Sequence, residues 1–214
     1  YLPTPFATSK YFHRALNLEK LLETKFTRID GKIPLHDIQK KLELPDNVTN
    51  NNFIEMEECH IEGTLNIYNK YMEKYNFHPI YTLDEFKYHF FGNSYIKTFV
   101  MVNNGIVTDF ASYNVHQSKV LKNNKKYNYI QRASLYYYTC ISETQYRLIK
   151  DLLILAKQNN VDVFDATDIM ENWCVLRELG FEEGTGLSHY YLYNWKIKPL
   201  KNIQYIDDGD TINI

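Results

Sequence analysis

The chain has 214 residues, enough for one substantial core, and its 44% hydrophobic and 23% charged side chains are an ordinary globular composition. Its 24 basic and 26 acidic residues give a formal charge of −2, which argues against a broad electrostatic interface with nucleic acid. Cys59, Cys140 and Cys174 show no CxxC spacing, which argues against a disulfide framework or a zinc site and fits a reducing, cytoplasmic setting; the sequence also shows no apolar run of about eighteen residues for a transmembrane segment and no signal peptide.

The sequence opens on Tyr1 rather than Met, as a processed product or a portion of something longer would. Pro3 and Pro5 make residues 1–10 an extended lead-in. Asn17 is placed to cap a short helix through about Thr24, with Leu18, Leu21 and Leu22 on one face. Residues 44–53 (LPDNVTNNNF) read as a polar surface loop. Ile61, Leu65, Tyr68, Met72 and Tyr75 recur at helical spacing, and Pro79 marks the end of that helix. Thr82 begins a capping box, T-L-D-E, that starts another helix through about Phe91.

Residues 95–102 and 106–113 are rich in β-branched and aromatic side chains, and Asn103-Asn104-Gly105 between them predicts an antiparallel hairpin. After a basic loop at 122–126, residues 129–140 predict a third strand. Thr144 and Gln145 lead into a helix to about Gln158, with Leu148, Leu152 and Leu155 in register. Val161–Phe164 reads as a short buried strand, residues 169–178 as a helix ending near Gly180, and His189–Trp195 as a final strand. The order strand, strand, strand, helix, strand, helix, strand predicts a mixed sheet with helices packed on it, in one domain with no internal repeat. Nineteen Tyr and twelve Phe are a heavy aromatic load, read first as core and alternatively as a groove lined by amphipathic rings.

No self-contained catalytic motif is present: there is no GxSxG, HExxH or Walker loop, and no Gly-rich strand-to-helix turn to cradle a pyrophosphate. The [QR]-x-x-G-x-[GA] pattern of acetyltransferase acyl-CoA sites is likewise missing. Seven His are scattered without metal spacing.

Several stretches together resemble the C-terminal half of the N-myristoyltransferases. Tyr1–Asn17 (YLPTPFATSKYFHRALN) is similar to the family's LPxPxxxxRYxHRSxN, residues 161–174 (VDVFDATDIMENWC) to FDVFNALDLMENKxF, and residues 179–196 (LGFEEGTGLSHYYLYNWK) to LKFGxGDGxLxYYLYNWK. The likeness spans residues 1–196 of a single domain 1–214 and leaves 197–214 as a divergent tail. It implies an α/β (α+β), acetyltransferase-like (GNAT-type) fold with a mixed, largely antiparallel sheet flanked by helices. It also implies a division of labour. The family's first half binds myristoyl-CoA, the co-substrate, while the half resembled here binds no cofactor or metal and lines the groove for a protein N-terminus beginning with Gly.

Carried over residue by residue, the resemblance makes Tyr11, His13 and Ser118 groove residues, although Tyr11 reads equally as packing and Ser118 as a solvated loop serine. Gly184 and Gly186 match a Gly-Asp-Gly that lets backbone approach the peptide. Thr185 stands where the family has that Asp, Asp165 where it has Asn, Asn114 and Leu135 where it has Tyr, so several groove contacts differ from the family's and the ordinary substrate preference is not carried over. The family's own terminal carboxylate deprotonates the substrate amine, which assigns that role to Ile214, with Asp207, Asp208 or Asp210 as substitutes; the tail reads alternatively as solvated. The implied partners are a Gly-initiated peptide or protein and an acyl-CoA-binding half, in the same or a separate chain, without which the chain is expected to be inactive. The alternatives are a non-catalytic peptide-binding module and, more remotely, an unrelated acetyltransferase-like enzyme.

Overall fold

The computed structural model describes residues 5–29, 31, 33–121, 126–192 and 194. They build a seven-stranded sheet of order β2-β3-β4-β5-β6-β1-β7, from β1 (Ala7–Ala15), β2 (Phe53–Glu55), β3 (Ile96–Asn103), β4 (Ile106–Lys119), β5 (Tyr129–Thr139), β6 (Val163–Thr167) and β7 (Glu182–Tyr190). Every neighbouring pair is antiparallel except β5 and β6, which are parallel. A parallel pair needs a crossover, and α5 (Gln145–Gln158) supplies it. The remaining helices are α1 (Leu18–Glu23), α2 (Leu35–Lys41), α3 (Ile61–Met72), α4 (Leu83–Phe90) and α6 (Trp173–Leu176). None of the described helices is long and apolar enough to cross a membrane.

The local signals act as the chemistry of the residues requires. Asn17 accepts the Lys20 amide at the start of α1, and Thr82 and Glu85 close a reciprocal capping box on α4. At the β3–β4 turn, Asn104 and Gly105 take the positive φ angles of 50° and 78° that a tight hairpin demands. The aromatic load goes mainly into the core: Tyr68 is fully buried among Tyr81, Phe86, Phe90, Phe110 and Tyr137. Helices α3 and α5 both press on β4, α3 against Phe110 and the end of α5 against Tyr113, so they cover opposite faces of the sheet.

Five strands were expected and seven are present among the described residues. The lead-in carries β1 from Ala7, and the polar loop ends in β2, with Leu44 and Phe53 buried at its two ends. The expected helix 169–178 is only Trp173–Leu176, because Met170 and Glu171 adopt φ of 54° and 63°, which no helix accommodates. The last described strand is Glu182–Tyr190, which takes in His189 and Tyr190 of the expected His189–Trp195, while Tyr193 and Trp195 lie outside the described residues; it pairs through its backbone with β1, which lends it order despite two glycines and two glutamates.

Candidate functional site

Strand β1 lies between β6 and β7, so its residues are registered on both sides. Phe12 pairs with Ala166 and joins the core, while His13 pairs with Asp165 on β6 and with Glu182 on β7. Alternation then puts Tyr11 and His13 on the face opposite α5. On that face the His13 Nδ1 lies 2.6 Å from Asp165 Oδ1. Arg132 reaches over from β5, donating from Nε at 3.0 Å and from a second guanidinium N–H to Asp165 Oδ2. The Asp165 side chain is 5% exposed, and a carboxylate so buried is tolerable only when paired and hydrogen-bonded. As a carboxylate paired with the Arg132 guanidinium it offers acceptors only. Nδ1 therefore carries the hydrogen of that bond, and in the neutral ring Nε2 is the acceptor.

Strand β7 bulges beside this pair. Between the registered pairs Lys10–Leu187 and Phe12–Glu183, the residues Gly184, Thr185 and Gly186 stand opposite Tyr11 alone. Such bulges re-aim the groups around them. Neither glycine has room for a side chain: a Cβ on Gly184 would sit 2.5 Å from His13 Nε2 and 3.2 Å from the Tyr11 carbonyl oxygen, and one on Gly186 would sit 3.2 Å from Tyr11 Cδ2. The Tyr11 and His13 rings are parallel, 6.5 Å apart, and the Tyr11 hydroxyl donates to Ser188 Oγ at 3.4 Å. Lys10 forms an ion pair with Glu183 at 3.0 Å, and its amide donates to Asp168, whose carboxyl burial pushes above the usual carboxylate range.

His13 is in the wall of a cavity of about 550 Å³, together with Ala15, Val163, Glu182, Phe26 and Leu42. Arg14, the neighbour of His13 on the core side, braces that cavity. It donates to the Leu179 carbonyl at 2.5 Å and to the Leu42 carbonyl at 3.2 Å, tying the end of α2 and the turn before β7 to β1. Burial lowers the Arg14 guanidinium to about 10, so it stays charged at neutral pH.

The structure thus brings together Tyr11, His13, Asp165, Gly184 and Gly186. Thr185 is exposed at the tip of the bulge. Ser118 is on strand β4, not in a loop, paired with Ile130; it shares the His13 face but is three strands away from β1. Asn114 occupies the row Asn114–Ser134–Asp165–His13 across four strands, and its Oδ1 is buried without a donor among the described residues. Leu135 packs against the core. Ile214, Asp207, Asp208 and Asp210 lie outside the described residues. Among the described residues, no three His, Cys, Asp or Glu side chains are grouped to hold a metal ion. Sequence reasoning missed Arg132, whose only signal was one fixed charge in the otherwise uncharged YIQRASLYYYT strand. It also missed Arg14, Lys10 and the wall contributed by residues 26–29 and 33–42.

With that geometry in place, comparison with known proteins is informative. Residues 23–213 match the family model described as "Myristoyl-CoA:protein N-myristoyltransferase, C-terminal domain". The chain is 36% identical over 197 residues to a Plasmodium falciparum glycylpeptide N-tetradecanoyltransferase, covering 92% of this chain and 48% of that protein. It is 32% identical over 206 residues to a probable glycylpeptide N-tetradecanoyltransferase of Caenorhabditis elegans, covering 95% and 46%. A crystal structure of Saccharomyces cerevisiae N-myristoyltransferase with bound myristoyl-CoA superimposes with a TM-score of 0.88 at 27% identity, over 100% of this chain and 54% of that one. The chain spans about half the length of the curated relatives it matches.

Proposed function

This chain belongs to the myristoyl-CoA:protein N-myristoyltransferase family, in its C-terminal domain, and from that premise we propose that it is the peptide-binding half of a glycylpeptide N-myristoyltransferase. Its partner is an acyl-CoA-binding half, in the same or a separate polypeptide, that presents myristoyl-CoA. The substrate is a protein N-terminus beginning with Gly, laid along the wall formed by Tyr11, His13 and the Gly184–Gly186 bulge, with Thr185 and Ser118 as hydroxyl contacts. The observation that supports this reading is the cavity of about 550 Å³ that His13, Glu182 and Glu183 line beside the Gly184–Gly186 bulge.

The chemistry asked of this half is modest. The substrate amine attacks the thioester carbonyl; the new C–N bond forms, the C–S bond breaks, and the coenzyme A thiolate leaves with a proton. Holding the amine in line supplies orientation, which removes much of the entropic barrier of a two-body reaction. Free Cys59, Cys140 and Cys174 fit a cytoplasmic enzyme.

The test is acyl transfer from myristoyl-CoA to a Gly-initiated octapeptide, measured with the chain alone and with the acyl-CoA half of a relative added. Turnover only in the combination supports the proposal. Turnover by the chain alone contradicts the division of roles, and peptide binding without turnover in the combination favours a non-catalytic binding module.

A further inference from the structure

His13 and Phe26 both line the cavity, and a single guanidinium outside its lining, that of Arg132, is tied to each of them. We infer that Arg132 is a positioning residue for the bound peptide. Through Asp165 it fixes the His13 ring, and with its flat face it fixes the Phe26 ring, so it sets peptide affinity without touching the peptide. This rests on the peptide-binding reading above.

Three observations carry it. First, the Asp165 carboxylate is shared between two partners. Its Oδ1 lies 2.6 Å from His13 Nδ1, and its Oδ2 accepts from Arg132 Nε at 3.0 Å and from a second N–H of the same guanidinium. The Asp165 side chain is 5% exposed, so water cannot stand in for a missing partner. The other end of the imidazole is packed, with Nε2 against the bulge where a Cβ on Gly184 would lie 2.5 Å away. The ring is clamped between that bulge and a carboxylate whose direction Arg132 sets. Second, the Arg132 guanidinium carbon is 5.5 Å from the centre of the Phe26 ring, within cation–π reach. The Phe26 backbone is fixed by the turn that ends α1. Lys25 takes φ of 59° and donates to the Leu22 carbonyl, and the Phe26 amide donates to the Leu21 carbonyl at 2.9 Å, a Schellman closure made without glycine. That turn leaves the ring itself free, and Arg132 covers one of its faces. Third, Asp165 stands where the resemblance puts Asn. An amide there accepts from His13 Nδ1 with its carbonyl oxygen and carries no charge to balance. A carboxylate at that depth needs a cation, and Arg132 supplies it from β5, registered against Val163, two residues from Asp165 and on the same face.

An ion pair that only stabilised the sheet would leave the cavity indifferent to its loss. Here the loss reaches the lining at two points. Without Arg132, His13 is the one hydrogen-bond partner left to the Asp165 side chain among the described residues. The carboxylate then turns, and the imidazole follows it or gives up the contact. Phe26 loses the flat cation on its ring at the same time. A peptide that packs against both rings is held less well, although the strands beneath them stay paired.

Calorimetric titration of a Gly-initiated octapeptide, with the acyl-CoA half of a relative present, tests this at a temperature where every variant is fully folded. Arg132→Gln is expected to bind about tenfold more weakly than wild type, the size of a close pairwise coupling. Combining it with Asp165→Asn gives His13 a neutral acceptor, and binding is expected to recover to within about threefold of wild type. The His13 and Phe26 ring resonances are expected to shift in the single variant, and those of His13 to return in the double one. Should Arg132→Gln fail to fold, Arg132→Lys decides. It keeps the buried carboxylate paired but has no planar fork, and is expected to weaken binding about threefold at little cost in Tm. An Arg132→Gln or Arg132→Lys chain with wild-type affinity, or a double variant no tighter than the single, overturns the inference and leaves peptide binding intact. A wild-type chain that does not bind the octapeptide overturns the peptide-binding reading, and this inference with it.

Discussion

Replacing Gly184 with alanine is the sharpest test of the packing beside His13. The added methyl would lie 2.5 Å from Nε2, 2.8 Å from Cδ2 and 3.2 Å from the Tyr11 carbonyl. Ordinary contact needs roughly 1 Å more, and the backbone oxygen on the other side blocks an easy retreat. If the imidazole moves instead, its 2.6 Å contact with Asp165 is lost or badly bent. Overpacking costs about 1–3 kcal/mol, and a hydrogen bond to a charged group about 1.5–3 kcal/mol. The two costs are alternatives in part, and the ring is 36% exposed, so the lower end applies: about 2 kcal/mol. For a chain of this size that is a fall in Tm of roughly 4–8 °C. Thermal and urea unfolding measure it, and His13 ring resonances report whether the Asp165 contact survives. A Gly184→Ala protein with wild-type Tm and unmoved ring signals would refute the close approach and, with it, the reason for glycine there.

Other outcomes follow from the same geometry. Gly63, inside α3, meets only Val107 at 3.5 Å, an ordinary contact, so Gly63→Ala is expected to stabilise by about 0.5–1 kcal/mol in urea unfolding. Thr82→Ala removes the cap of α4 and is expected to cost about 1 kcal/mol, measurable in the same assay. Burial pushes the Asp109 carboxyl up, but the Ser142 hydroxyl and the Ile141 and Glu143 amides together hold it below the usual value. Its contribution is therefore complete above the ordinary carboxylate value of about 4 and is lost as pH falls through the lower folded value. Asp109→Asn is expected to cost about 1–3 kcal/mol at neutral pH and to flatten the acid limb of the stability profile; identical limbs would contradict it.

Elements whose stability is local were legible in the sequence. The α4 capping box, the Asn104-Gly105 hairpin and the register of Leu148, Leu152 and Leu155 in α5 each arise from residues a few positions apart. Strand β1 was hidden because its alternation is broken at Lys10–Tyr11 and its partners are about 150 and 175 residues away. Strand β7 was hidden for a complementary reason. Gly184 and Gly186 weaken its intrinsic preference, while the aromatic run beginning at Tyr190 looks more strand-like than the segment that pairs.

The sequence by itself determined the class of fold, the hairpin, the principal helices and, through motifs at both ends, the family. Only the tertiary structure decided that His13 meets Asp165 and that Arg132 completes the contact. That meeting depends on the antiparallel register of β1 against β6, and a slip of one residue would send the imidazole to the opposite face. Register is a property of two distant strands settling against a shared core, and no local pattern encodes it.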